Sequence, residues 1–213
     1  MSKARVLLAD DHGIVIEGLK KLLGPEYDVV GAVEDGRALI AAVDKLQPDV
    51  VVADISMPHL NGIEAVRQIK EKNPQIRVVI LTMHHDVQSA ARAFEAGASG
   101  FVLKVSASNE LITAIGEALK GKTYVTPIIA GELIQSYREG KENPAAVFKR
   151  LSARHREILQ LVAEGHSAKE IGKILNISAR TVESHKYQIM EVLNVKTSAE
   201  LIQFAIKHGI ISI

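Results

Sequence analysis

The sequence predicts two domains: an α/β domain with a doubly wound, parallel five-stranded sheet, and after it a small all-α domain. In residues 1–121, five short and nearly continuous apolar runs alternate with helix-spaced segments, as in parallel strands buried under helices on both faces. Residues 122–213 contain no comparable apolar run. The charge also changes sign, because the first part carries 13 Lys and Arg against 16 Asp and Glu, whereas the second carries 13 against 9.

The five apolar runs are the predicted strands, at residues 5–9, 29–33, 50–53, 78–81 and 100–103. Segments with helical spacing follow them, at residues 13–23, 36–46, 62–72, 87–96 and 108–120. Gly24-Pro25 and Asn73-Pro74 supply helix stops. Five strand–helix units of this length indicate a doubly wound parallel sheet.

The second half is predicted to be helical. A helix over residues 127–138 starts at Pro127, and the polar residues 139–144 indicate a linker. Four further helices begin at hydroxyl-bearing residues: Ser152, Ser167, Ser178 and Thr197. Ser167 with Glu170, and Thr197 with Glu200, fit the capping box, in which hydroxyl and carboxylate satisfy backbone N–H groups. We therefore expect a first domain at 1–121, a helix and linker at 122–147 and a second domain at 148–213.

The composition excludes several classes of protein. The chain contains no Cys, which excludes disulfides, Cys-ligated zinc and Cys nucleophiles. The first apolar run is interrupted by Asp10 and Asp11 too soon for a signal peptide. No stretch approaches the roughly 18 apolar residues of a membrane span. We therefore expect a cytoplasmic protein without a membrane partner.

Polar side chains follow four of the five predicted strands. Asp10 and Asp11 follow the first, Asp54 the third, Thr82 the fourth and Lys104 the fifth. Ligands of doubly wound sheets bind beyond the carboxyl ends of the strands, so we expect these groups to converge. Carboxylate oxygens suit Mg²⁺, and a lysine opposite them fits an arriving phosphoryl group. The alternative is that each acid merely caps a helix or solvates a loop, but five such residues at four strand ends favour a binding site.

These residues resemble the receiver domain of two-component response regulators, a flavodoxin-like fold. The resemblance covers about residues 3–121, and the matching residues are Asp10, Asp11, Asp54, Met57, Pro58, Gly62, Thr82, Phe101 and Lys104. Receivers often carry Pro after the lysine with a cis bond, but this chain has Val105. We therefore expect no cis peptide bond there.

The resemblance implies a role for each residue of the site. Asp54 would accept a phosphoryl group from a phosphohistidine on a sensor histidine kinase. Mg²⁺ would be bound by Asp11, Asp54 and the Ser56 backbone carbonyl, with Asp10 assisting through water. Lys104 would pair with the phosphoryl group or with Asp54. Thr82 would move to a phosphoryl oxygen, and Phe101 would turn inward into the vacated space.

Three histidines lie close to the expected pocket. His12 follows Asp11, and His84 and His85 follow Thr82. Each is either a metal ligand or, as we favour, a residue that packs the loops or modulates the pocket.

The segment from Leu151 to about Ile211 resembles the DNA-binding domain of LuxR-type regulators. The matching residues are Leu151, Ser152, Arg154, Glu157, Ile158, Leu159, Leu161, Val162, Gly165, Lys169, Glu170, Ile171, Leu175, Ile177, Ser178, Thr181, Val182, His185 and Leu193. A tight Asn176-Ile177 connection between two predicted helices indicates a helix-turn-helix independently. Relatives usually carry Glu where this chain has His155, so the first capping box is lost.

In a helix-turn-helix, the N-terminal part of the second helix lies in the major groove. The residues expected at phosphates are Lys169, Arg180, Thr181, His185 and Lys186. The residues expected at base edges are Glu183, Ser184 and Tyr187. A lysine is common in relatives at the position of Glu183, and Glu can accept from a cytosine amino group. The alternative for this half is a helical protein–protein module.

Together, the two halves resemble a NarL/FixJ-type response regulator. The resemblance implies a DNA-binding regulator of transcription, not an enzyme, that forms a homodimer on activation, binds promoter DNA and has RNA polymerase as a further potential partner. One alternative is a receiver-like protein that binds DNA independently of phosphorylation. The other is a flavodoxin-like phosphatase or cofactor-binding enzyme. The enzyme alternative is disfavoured by Ser56, where such a phosphatase has Asp, and by the lack of a Gly-rich loop after the first strand.

Overall fold

The computed structural model describes residues 3–138 and 150–211. The chain divides into two units, Met1–Asn143 and Pro144–Ile213, and each is described by itself. The predicted linker at residues 139–144 falls outside the described residues.

The first unit is built on a parallel sheet. Its strands in the order of the sheet are β2 (Asp28–Val33), β1 (Arg5–Ala9), β3 (Val50–Ala53), β4 (Arg77–Thr82), β5 (Gly100–Leu103) and β6 (Tyr124–Val125). The doubly wound parallel sheet is confirmed, but the number of five strands was wrong, because β6 pairs in parallel with β5. A strand of two residues leaves no apolar run in the sequence, and its place is set by bonds to the neighbouring strand.

Helices follow the strands as the periodicity predicts. They are α1 (Gly13–Leu23), α2 (Gly36–Leu46), α3 (Gly62–Lys72), α4 (Val87–Ala96), α5 (Ala107–Leu119) and α6 (Pro127–Arg138). Asp35, Asn61 and Asp86 cap α2, α3 and α4 by accepting hydrogen bonds from N–H groups of the first turn. A single 3₁₀ turn, Lys104–Ser106, connects β5 to α5.

The sheet has an apolar core on each face. Alternate residues of β1 enter opposite cores, so that Leu7 packs in the cluster of α2, α3, α4 and α6, whereas Val6 packs in the cluster of α1 and α5. Ile129 of α6 is buried in the first of these clusters. Burial on both faces explains why the strands are continuously apolar in sequence.

The second unit is helical: α7 (Ala153–Ala163), α8 (Ala168–Leu175), α9 (Ala179–Leu193) and α10 (Ser198–Lys207). The four predicted start residues, Ser152, Ser167, Ser178 and Thr197, are the four N-caps. The capping box at Ser167 is complete. At Thr197 the predicted box was wrong in one half, since the Glu200 carboxylate accepts from the backbone N–H of Lys196 (2.8 Å), one residue earlier.

The buried core of the second unit is contributed by all four helices and includes Ile158, Ile171, Val182 and Leu201. Across the residues that the structure describes in both units, no helix is long and apolar enough to span a membrane.

Candidate functional site

The carboxyl ends of β1, β3 and β5 bring three charged groups together. Asp54 lies directly after β3, where its backbone N–H donates to the Ala9 carbonyl of β1 (2.8 Å). The Lys104 ammonium lies 2.6 Å from Asp54 Oδ2 and 2.7 Å from Asp10 Oδ2. Asp10 and Asp54 are almost completely buried, with 1% and 4% of their surface exposed. One ammonium therefore bridges two carboxylates at the floor of the site.

This bridge fixes the protonation state of the lysine. Burial disfavours the charged form, but the hydrogen bonds to Asp10 and Asp54 and their negative charges outweigh it, so the pKa of Lys104 is raised. Because the ordinary pKa of lysine is already far above neutrality, Lys104 is cationic at physiological pH.

The two carboxylates also accept backbone hydrogen bonds. Asp54 Oδ1 accepts from the N–H of Ile55 (2.6 Å), and Asp10 Oδ1 accepts from the N–H of His12 (3.0 Å). These bonds hold each carboxylate in one orientation, so that Asp54 presents a fixed oxygen to an incoming group.

A cluster of side chains that could hold a metal ion overlaps this site. Ligand atoms of Asp10, Asp11, His12 and Asp54 lie within 4.8 Å of one another. The His12 Nδ1 atom is 2.7 Å from Asp11 Oδ1, and Asp11 is exposed to solvent. The cluster therefore has buried acids on one side and an accessible acid on the other.

Hydrogen bonds at Thr82 and between the loops after β3 and β4 form the part of the site beside Asp54. Thr82 is fully buried, and its Oγ1 accepts from the N–H of His84 (3.2 Å). The His84 Nε2 atom lies 2.8 Å from Ser56 Oγ, so the loops after β3 and β4 are joined beside Asp54. This link was not predicted from the sequence, although both residues follow shortly after predicted strands. His85 is exposed.

Phe101 is buried in the core, whereas Val105, directly after Lys104, is exposed. Phe101 is fully buried in the cluster that contains Ala53 and Ile80, so its ring already lies inside the core in this structure. None of the peptide bonds in the described segments is cis, as the replacement of Pro by Val105 predicts. Val105 is 65% exposed.

Helix α9 presents one polar face to solvent. Val182 and Ile189 are buried, which directs other side chains outward. Arg180, Thr181, Ser184 and Tyr187 are exposed, whereas Glu183, His185 and Lys186 are half-buried. Lys169 is exposed on α8.

Most of these side chains on α9 are free to bind a ligand. Five side chains form no hydrogen bond or ion pair with any other residue that the structure describes: those of Arg180, Glu183, Ser184, Lys186 and Tyr187. Thr181 is engaged with Ser178, the N-cap of the helix (Oγ–Oγ1 2.8 Å). The ring of His185 packs edge-on against that of His155, with centroids 5.4 Å apart.

Comparisons with known proteins agree with both units. The family described as "Response regulator receiver domain" matches residues 6–116, and the family described as "Bacterial regulatory proteins, luxR family" matches residues 149–205. The transcriptional regulatory protein DegU of Brevibacillus brevis is 34% identical over 224 residues, which cover 98% of this chain and 95% of DegU. The oxygen regulatory protein NreC of Staphylococcus carnosus is 34% identical over 214 residues, covering 97% of this chain and 99% of NreC.

This chain is a NarL/FixJ-type response regulator. The solved structures agree with the assignment. RcsB from Salmonella enterica serovar Typhimurium, bound to promoter rprA in the presence of phosphomimetic BeF₃⁻, has a TM-score of 0.64 and 32% identity, over 95% of this chain and 98% of RcsB. The response regulator described here is accordingly a DNA-binding regulator of transcription, and its family is one of regulators, not enzymes.

The response regulator carries a further close contact at its acidic site. Gly62, the first residue of α3, lies so near Asp54 that a Cβ atom at this position would be 1.9 Å from the Asp54 carbonyl oxygen. Gly62 directly follows Asn61, the N-cap of α3, and only the fold reveals which backbone atom the glycine approaches. Receiver domains typically bind Mg²⁺ at an acidic pocket of this kind.

Proposed function

We propose that this response regulator is phosphorylated on Asp54 by a sensor histidine kinase in the bacterial cytoplasm. Phosphorylation then promotes homodimerisation and binding of promoter DNA, where RNA polymerase is a further partner. The first domain (residues 1–121) receives the signal and the last (148–213) binds DNA, with the segment 122–147 between them. The observation that carries the proposal is the Lys104 ammonium between the buried Asp10 and Asp54 carboxylates.

The geometry suits phosphoryl transfer to Asp54. A carboxylate oxygen of Asp54 forms a bond to phosphorus while the phosphorus–nitrogen bond of the phosphohistidine breaks, and the histidine nitrogen of the kinase retains the electron pair. Such a transfer needs positioning and charge neutralisation more than acid–base groups. The Ile55 N–H holds Asp54 Oδ1 in place. Lys104 supplies positive charge on the Oδ2 side.

The acidic cluster fits Mg²⁺. Its donors include carboxylate oxygens of Asp10, Asp11 and Asp54, which are the ligands that Mg²⁺ prefers, and Ser56 lies on the loop after Asp54 to offer its carbonyl. When bound, the ion neutralises charge on the phosphoryl oxygens. The Lys104 ammonium pairs with Asp10 and Asp54, and Asp11 adds a third carboxylate to the cluster, so the cluster retains negative charge that favours a divalent cation.

Thr82 is expected to couple phosphorylation to DNA binding. Its buried hydroxyl accepts from the His84 N–H, and the same hydroxyl can donate its proton to a phosphoryl oxygen, which is a charged acceptor. Thr82→Ala should therefore still accept the phosphoryl group, but its phosphorylation-dependent gain in DNA affinity should fall about tenfold. The measurement is DNA affinity with and without a small-molecule phosphodonor and Mg²⁺. Thr82→Ser keeps the hydroxyl and should keep the gain, and a full gain in Thr82→Ala would contradict this role.

The unpartnered face of α9 supports DNA reading by this helix. A recognition helix places its N-terminal residues at base edges and is flanked by phosphate contacts. Glu183, Ser184 and Tyr187 are the base-reading set, and Lys169, Arg180, Thr181, His185 and Lys186 are the phosphate set. A homodimer supplies a second such helix for the second half-site.

The two sets are expected to respond differently to substitution. Lys186→Ala should weaken binding about equally on all sequences and flatten the salt slope by roughly one unit. Glu183→Ala should change the preferred base at one position by about tenfold or more, because a discriminating contact is lost. Binding-site selection on both variants measures this. Glu191→Ala removes the same charge from an exposed position farther along α9 and should leave the selected motif unchanged. An unchanged motif in Glu183→Ala would contradict the assigned orientation of the helix.

A further inference from the structure

Thr126 connects three parts of the first unit through buried hydrogen bonds. The residue directly follows β6 and is only 3% exposed. Its backbone N–H donates to the Phe101 carbonyl (2.9 Å). Its Oγ1 accepts from the Leu103 N–H (3.2 Å) and donates to Glu110 Oε2 (2.7 Å). The hydroxyl thus uses both its donor and its acceptor capacity.

These bonds hold the end of β5 that leads into the phosphorylation site. Phe101 and Leu103 lie on either side of Val102, and Leu103 is bonded covalently to Lys104. The hydrogen bond from the Leu103 N–H to Thr126 therefore holds the backbone in place one residue before Lys104, whose ammonium bridges Asp10 and Asp54. Glu110, in the first turn of α5, completes the anchor from the other side of the 3₁₀ turn.

Thr126 is also the residue from which α6 starts. The Ala130 N–H donates to the Thr126 carbonyl (3.1 Å), and α6 begins at Pro127. Ile129, in the first turn of α6, is 1% exposed and packs in the same core cluster as Phe101. A displacement of Phe101 or of the end of β5 would therefore be transmitted to α6 in two ways: through the Thr126–Phe101 hydrogen bond and through the packing of Ile129 in the same core.

We propose that Thr126 is a positioning residue that fixes Lys104 through the end of β5 and passes the phosphorylation-dependent change to α6. This inference rests on the proposed function. It assigns a role in phosphorylation signalling to a residue that has no direct contact with Asp10, Asp54 or Lys104. Helix α6 is the last described element before the second unit along the chain. Thr126, the residue directly before this helix, is thus coupled to the strand that carries Phe101 and precedes Lys104.

Thr126→Val tests the inference because valine has nearly the shape of threonine but no hydroxyl. The variant keeps the backbone bond to Phe101 and leaves the Leu103 N–H and the Glu110 carboxylate without this partner. Two matched variants serve as controls. Thr126→Ser retains the hydroxyl, and Thr123→Val makes the same change at an exposed position three residues earlier.

The experiment measures phosphoryl uptake from a small-molecule phosphodonor and the DNA affinity of the full-length protein before and after it. Wild type, Thr126→Ser and Thr123→Val should show the same gain in DNA affinity. Thr126→Val should take up the phosphoryl group, but its gain should fall about tenfold, as expected for the loss of buried hydrogen bonds. A general loss of structure would lower DNA affinity in both states alike, so the ratio of the two affinities isolates the coupling.

The outcomes separate this inference from the proposed function. A full gain in Thr126→Val beside a normal wild type overturns the inference alone. No gain in the wild type overturns the proposed function and the inference with it. If Thr126→Val does not fold, as judged by circular dichroism, Glu110→Ala removes the carboxylate to which Thr126 Oγ1 donates and which also bonds Tyr124. Tyr124→Phe removes the Tyr124 bond alone and is the control. A gain reduced in Glu110→Ala but not in Tyr124→Phe supports the inference, and a full gain in Glu110→Ala overturns it.

Discussion

Asp54→Asn is expected to abolish Mg²⁺-dependent phosphorylation. The amide cannot act as the carboxylate nucleophile, and it also removes the negative charge that Lys104 Nζ meets at 2.6 Å. Because Asp10 keeps its own contact with Lys104 (2.7 Å), the buried ammonium retains a partner and the variant should remain folded. Intact-protein mass after incubation with a small-molecule phosphodonor measures the loss directly.

A matched substitution tests whether the effect is specific to this aspartate. Asp44 lies exposed on α2, and Asp44→Asn changes the same functional group outside the site. It should leave phosphorylation unchanged. Stable labelling of Asp54→Asn at another residue would refute Asp54 as the sole phosphoacceptor.

Gly62→Ala is expected to have the largest effect on stability. The added Cβ atom would lie 1.9 Å from the Asp54 carbonyl oxygen and 2.9 Å from its carbonyl carbon. Both are backbone atoms that cannot rotate away, so either α3 or the segment after β3 has to shift. The free energy of unfolding should fall by about 3 kcal/mol or more. The rate of phosphorylation should fall as well, because the shift displaces Asp54.

Chemical denaturation followed by circular dichroism measures the change in stability. The control is Gly18→Ala, since Gly18 lies within α1 and a Cβ there meets no atom within 4 Å. That variant should gain roughly 0.5–1 kcal/mol, because alanine loses less backbone entropy in a helix. Equal stability of the two variants would show that Gly62 is not held against Asp54.

Much of the fold follows from patterns that span only a few residues. Helix bounds came within one residue in the first unit, because apolar periodicity and capping side chains are local signals. The meeting of Asp10, Asp54 and Lys104 was also predictable, since the carboxyl ends of parallel strands share one edge of a sheet.

The features that sequence analysis missed depend on contacts between distant segments. Strand β6 exists because Tyr124 and Thr126 bond to Ser99 and Phe101, and two residues carry no periodicity of their own. The Ser56–His84 link joins residues 28 positions apart. The Glu200 carboxylate accepts from the backbone N–H of Lys196 and not from that of Thr197. Sequence spacing does not distinguish these two neighbouring N–H groups.

Strand β6 also limits how two copies of this regulator can assemble. An open sheet edge presents a row of main-chain N–H and C=O groups to which another chain can add a strand. Here the edge strand has two residues and is followed by Pro127, which has no N–H to offer. On this side of the sheet, a second copy finds almost no backbone to pair with. A homodimer that forms here has to be held together by side chains of helices and loops.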